Sequence, residues 1–192
     1  MLRKDIKITG IDTVDDSLLI VASFLIICTF STLKFDLTNG TPITLQSLLV
    51  VWFSVALGTR IGLTSVLLYI IAGALGWGVF SGGESGLGYI LGINGGFILA
   101  FPIGAFIAGS LTQWSLTKQT ITKAQFIASA LILFISQLSI LILGFIWKSA
   151  ITLSLISISE IIRLYSPGLL IKTAIGTLAI VFISRGLSRI KS

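Results

Sequence analysis

Six nearly uncharged runs divide the chain, at residues 17–33, 44–58, 61–80, 95–114, 124–147 and 167–187. A membrane helix needs roughly 20 mostly apolar residues, so each run predicts a span. The second run is short for a full crossing, which implies a different tilt or an earlier start. The tight junction at Thr59 and Arg60 predicts that the second and third spans form an antiparallel hairpin. The expected architecture is all-α and integral to the membrane. It is a single membrane domain over residues 1–192, with an N-terminal segment (1–16), a six-helix bundle (17–187) and a basic tail (188–192).

Composition agrees with the pattern. The chain is 55% hydrophobic and 10% charged, with a mean hydropathy of +1.07, whereas a soluble domain carries about a quarter charged residues. The bilayer must act as solvent for much of this surface. The net charge of +6 would point a soluble chain toward nucleic acid; here flanking Lys and Arg fix topology instead. One side collects Arg3, Lys4, Lys7, Arg60, Lys118, Lys123, Arg185, Arg189 and Lys191, and the other holds Lys34, Lys148 and Arg163. Both termini are therefore expected in the cytoplasm, which requires an even number of spans, in a multi-pass protein of the plasma membrane.

Cys28 is the lone cysteine and histidine is absent, which removes disulfide frameworks, histidine-ligated metals and Ser-His-Asp triads. The mixed charges of the first 16 residues argue against a cleaved signal and for a retained first helix. No Gly-x-x-x-x-Gly-Lys-Ser/Thr loop occurs, so ATP would have to be bound by another subunit. No cofactor, metal, catalytic residue or nucleic-acid partner is expected.

Two connections on the outer side are irregular. Residues 81–96 are glycine-rich and carry Glu84, and irregular backbone at membrane depth is tolerated where it is buried in protein or lines a cavity. Residues 148–166 place Ile151, Leu155, Ile158 and Ile162 at helical spacing, which predicts an interfacial amphipathic helix or an extension of the fifth span.

Lys172 is the most informative residue, being the only charge deep within a predicted span. Ser166 and Pro167 read as a helix start. This would put Lys172 about 7–8 Å below the positive end of the helix dipole. Gly168 and Gly176 flank it on one face and leave room for an approaching anion such as a carboxylate. The alternative is a lysine snorkelling to the interface. Thr44, Gln46 and Asn94 suit a neutral heterocycle, or else cap their own helices. Tyr69, Trp77, Phe80, Tyr89 and Phe97 are either interfacial anchors or an aromatic wall around a ring-shaped ligand. Ala100, Gly104 and Ala108, beside Ala105 and Gly109, form a small-residue stripe suited to packing within the bundle or, as the alternative, to docking against another protein.

Several motifs together resemble the BioY biotin transporters, the substrate-binding (S) components of energy-coupling factor (ECF) transporters. They are Pro42 through Gln46, Leu68 and Tyr69 with Gly73, Val79 through Gly83, Gly92 through Phe97, and Pro167 and Gly168 with Lys172. The resemblance implies six helices with a vitamin site near the outer surface, lined by Gln46, Tyr69, Asn94 and Lys172. Thr44, Trp77 and Glu84 complete the candidate set. It further implies biotin as ligand, high-affinity binding and uptake as function, and a coupling subunit with cytoplasmic ATPases as partners. Leu169 stands where the family commonly has an acid, and the small-residue pattern expected on the first helix is degraded around Ala22 and Ile26. Two other readings stay open, a carrier for another vitamin or a biotin precursor and a ligand-free membrane assembly protein. A membrane enzyme lacks the paired groups for acid–base work.

Overall fold

The computed structural model describes residue 6 and residues 8–36, 42–115, 123–154 and 157–190. Among these, the chain forms helices α1 (Asp12–Ser31), α2 (Gln46–Leu57), α3 (Thr59–Ala74), α4 (Leu87–Leu91), α5 (Gly95–Ser115), α6 (Lys123–Thr152) and α7 (Ile158–Ile190). A small antiparallel hairpin of β1 (Lys34–Asp36) and β2 (Pro42–Thr44) joins α1 to α2, with Lys34 opposite Thr44. Four helices, α1, α5, α6 and α7, are long and apolar enough to cross a membrane, while α2 and α3 are shorter apolar helices. The chain is a multi-pass, helical membrane protein.

The hairpin departs from the purely α expectation, and several boundaries move. The first helix starts at Asp12 rather than 17 because Asp15 is not a flanking polar residue. It is fully buried, and its carboxylate accepts hydrogen bonds from the Ile8 and Thr9 amides (3.2 and 2.8 Å) and the Thr9 hydroxyl (2.7 Å). An acid in a first helical turn also complements the helix dipole.

The third helix ends at Ala74, short of the expected 80, because Gly76 takes a φ of +97°, a conformation open to glycine that terminates helices. The last helix starts nine residues before 167. Pro167 lies inside α7, tolerated as prolines are in packed membrane helices. The amphipathic segment 148–166 is therefore divided between the ends of α6 and α7, and Leu155 lies outside the described residues.

The α2–α3 junction is as tight as expected. Gly58, at φ +100°, is the single residue between the helices, and Gly62 lies so close to Ser54 that a Cβ there would overlap it. The α5 stripe packs inward: Ala100, Ala105 and Ala108 are buried, Gly104 lies against Ile140 of α6, and Gly109 against Thr59. Helices α5 and α6 also interlock reciprocally, with Gly96 receiving the Trp147 side chain and Gly144 receiving the Phe97 ring. The core centres on α2, where Val50, Val51, Val55 and Ala56 are buried. Leu18, Val21, Leu25 and Phe30 of α1, and Leu178 and Phe182 of α7, face outward.

The start of α1 and the start of α3 share one end of the bundle, where Asp16 and Arg60 are 3.9 Å apart. The β-hairpin follows the opposite end of α1, and Gln46 opens α2 beside it. Of the nine basic residues assigned to the inner side, Arg3, Lys4, Lys7, Lys118 and Lys191 lie outside the described residues.

Candidate ligand-binding site

A cavity of about 210 Å³ opens at the hairpin end of the bundle, between α2, α5, α6 and α7. Four of the sequence-derived candidates, Thr44, Gln46, Asn94 and Lys172, line it. Thr44 ends β2 and Gln46 begins α2, so the hairpin presents both to the same space. Lys172 enters from α7, and its ammonium donates a 2.8 Å hydrogen bond to Ser47 Oγ. Lys34 and Lys148 also line the cavity, and among the described residues no carboxylate does. Three lysines in the lining, with no acid among the described residues, give a space whose chemistry suits an anionic or acceptor-rich guest.

Tyr69 stands behind this lining. It is fully buried, accepts a hydrogen bond from Gln46 Nε2 and donates one to the Val79 carbonyl (3.2 Å). Its contribution is to hold the Gln46 amide in one orientation. The Phe80 ring packs edge-on to Tyr69 (5.6 Å) and stacks on Tyr89 (5.6 Å, 18°). It reaches this position because Gly73 has no side chain: a Cβ there would lie 2.1 Å from the ring. Burial raises the pKa of the Tyr89 phenol, opposed by its hydrogen bond with Asn94.

Trp77 and Glu84 are not among the residues lining the cavity. Trp77 is 58% exposed and leans toward Phe24 of α1 (6.4 Å). Glu84 is exposed, and its backbone carbonyl accepts from the Phe80 amide (3.0 Å). The aromatic lining comes from Tyr89 and Phe97, both named from the sequence, together with Phe101 and Tyr165. Phe145 joins two of these, contacting Phe97 (5.5 Å) and Tyr165 (4.9 Å) edge-on.

Lys172 does not lie near a helix terminus, contrary to expectation. The lysine lies fourteen residues into α7, about 21 Å from its start at 1.5 Å per residue. The dipole of the first turn is too far away to act there. Gly176 is likewise a packing position. A Cβ would meet Leu48 at 2.7 Å, and its carbonyl accepts from Trp52 Nε1 (3.0 Å). The anion preference therefore rests on the ammonium groups alone.

Sequence reasoning missed Ser47, Gln137 and Tyr165, and had placed Lys34 and Lys148 only as loop charges. A serine or glutamine in an apolar run reads as a helix-to-helix hydrogen bond, so only tertiary placement separates these residues from ordinary packing. Leu169, buried and lining the cavity, is the apolar side chain at the position noted for its missing acid.

Comparison with known proteins places the chain in a family. The chain is 50% identical over 68 residues to a probable biotin transporter BioY of Pyrococcus horikoshii, covering 35% of this chain and 42% of the relative. It is 33% identical over 111 residues to biotin transporter BioY2 of Lactococcus lactis subsp. cremoris, covering 58% of this chain and 57% of the relative. These matches thus span about half the length of the curated relatives. The fold is similar to the crystal structure of the S-component for biotin from an ECF-type ABC transporter. The TM-score is 0.79 at 20% identity, over 93% of this chain and 95% of that one. The BioY family model matches residues 4–191, nearly the whole sequence, and the chain belongs to the BioY family.

Proposed function

We propose that the chain binds biotin from the outer side of the plasma membrane as the substrate-specific component of a vitamin uptake system. The observation that carries this reading is the Lys172 ammonium inside a cavity lined, among the described residues, by three lysines and no acid. Lys172 takes the valerate carboxylate, Gln46 and Asn94 address the polar ring, and Phe97, Phe101 and Tyr165 enclose the remainder. Glu84 and Trp77, outside this lining, have no direct part.

The bundle crosses the membrane six times, through α1, α2, α3, α5, α6 and α7, with both termini in the cytoplasm. Placing the cavity outside puts Arg60, Lys123 and Arg185 on the cytoplasmic side, in line with the positive-inside rule. An ECF coupling subunit and cytoplasmic ATPases supply the energy for uptake.

Equilibrium binding of labelled biotin to the purified protein tests the reading, with saturation at submicromolar biotin expected. Absence of saturable binding refutes it. Leu169 favours a second reading, in which a different vitamin or a biotin precursor occupies the same cavity. Competition by pimelate, dethiobiotin, thiamine and riboflavin separates the two: preference for biotin over all four eliminates the alternative.

A further inference from the structure

We infer that Gln137 of α6 is a specificity-determining residue whose side-chain oxygen accepts a hydrogen bond from a ring N–H of the ligand. The inference rests on the biotin reading above and deepens it. Gln137 lines the cavity although it is only 2% exposed. Its amide nitrogen has two acceptors, the Leu133 carbonyl and Thr173 Oγ1, each at 3.3 Å. Thr173 Oγ1 is free to accept because its own proton goes to the Leu169 carbonyl (2.8 Å). Exchanging the amide oxygen and nitrogen would set the oxygen against the Leu133 carbonyl, two acceptors face to face, so the orientation is fixed by its surroundings.

Gln137 Oε1 is left buried with no partner among the described residues, and no other residue lining the cavity carries such an atom. A buried acceptor without a donor is unfavourable, and a ligand donor would relieve it. The three lysines of the lining can only donate, and among the described residues no carboxylate lines the cavity. A cyclic urea brings two N–H donors that must find acceptors on leaving water. Both bonds from Nε2 exceed the usual 2.7–3.2 Å range, so the amide is loosely held and its soft terminal torsion lets it tilt toward a guest. Through Thr173 it sits next along the chain to Lys172. One wall therefore carries an acceptor for the ring and, beside it, the cation for the carboxylate.

The test compares wild type with Gln137→Met, which keeps the length of the side chain and leaves no donor unsatisfied, since Thr173 retains its bond to Leu169. The probes are biotin and its two cyclic carbamate analogues, each with one ring N–H replaced by oxygen. Wild type should discriminate between the carbamates, binding more weakly the one that lacks the N–H facing Gln137. Gln137→Met should bind biotin roughly 5- to 150-fold more weakly, the loss expected of one unsatisfied buried donor, and should no longer discriminate. Unaltered biotin affinity in Gln137→Met, or undiminished discrimination, overturns the inference while leaving the biotin reading intact. Should the variant not fold, the wild-type arm decides, because equal affinity for biotin and both carbamates overturns it. Failure of wild type to bind biotin refutes the functional reading itself, and the inference with it.

Discussion

Replacing Lys172 by Met isolates the charge from the side chain that carries it. The stem remains to fill space in α7, while the ammonium and its 2.8 Å hydrogen bond to Ser47 are lost. In the free protein little stability is at risk. Ser47 loses a donor but keeps its own hydroxyl proton, and removing a charge from an apolar helix relieves its desolvation. The ligand-free melting midpoint should therefore hold or rise. In the complex, the carboxylate loses a charge-assisted hydrogen bond of about 1.5–3 kcal/mol, equivalent to a roughly 10- to 150-fold weaker Kd. Lys34 and Lys148 remain, so some attraction for anions persists. Isothermal titration with biotin and with its neutral carboxamide makes the assignment specific. Wild type should prefer the acid, and Lys172→Met should bind acid and amide nearly alike, a coupling that single measurements cannot reveal. Equal loss for both ligands, or a preserved preference for the acid, would refute pairing of Lys172 with the carboxylate.

Three other outcomes follow from the geometry. Gly73→Ala forces a methyl into the Phe80 ring, and overpacking of this kind costs about 1–3 kcal/mol; thermal unfolding should show the loss, and Gly73→Ala with Phe80→Leu should recover part of it. Tyr69→Phe strands the Gln46 amide and the Val79 carbonyl, at about 1–3 kcal/mol, so both melting midpoint and ligand affinity should fall. Neutralising Lys34 and Lys148 together, each to Gln, should slow association and flatten its dependence on salt while leaving dissociation nearly constant, which stopped-flow binding can resolve.

The spans were legible because hydropathy is a one-dimensional signal: 17–33, 95–114 and 124–147 overlap α1, α5 and α6 closely. Lys172 was legible for a related reason, since a charge inside an apolar run must have a use. Backbone events were not. Leu75 through Phe80 continue the apolar run of the third span, yet Gly76 ends its helix, because a run of hydropathy carries no record of φ. Ser166 and Pro167 carry the signature of a helix start and lie well inside α7, where a longer apolar stripe from Ile158 overrides it. The short β-hairpin had no pattern to announce it in three-residue strands. Within the site, Tyr69 was recognisable by motif, but its place behind Gln46 depends on the ring of Phe80 filling the gap at Gly73, a three-body arrangement that spacing cannot express.

The reciprocal fit of α5 and α6 has a consequence for how related sequences can drift. Gly96 with Trp147 and Gly144 with Phe97 act as two dowels, and the Trp147 indole adds a bond to the Gly92 carbonyl (3.0 Å). Two pegs set in opposite directions forbid sliding along the helix axis. The depth of Phe97 and Phe101 on one helix is thereby tied to that of Gln137 and Ile140 on the other. On α6 the two positions are separated by Phe145 and Ile146, and deleting either would put one pair out of register with the other. Replacement of either ring by a small side chain should instead be accompanied by growth of the facing glycine, so that these two pairs change together or not at all.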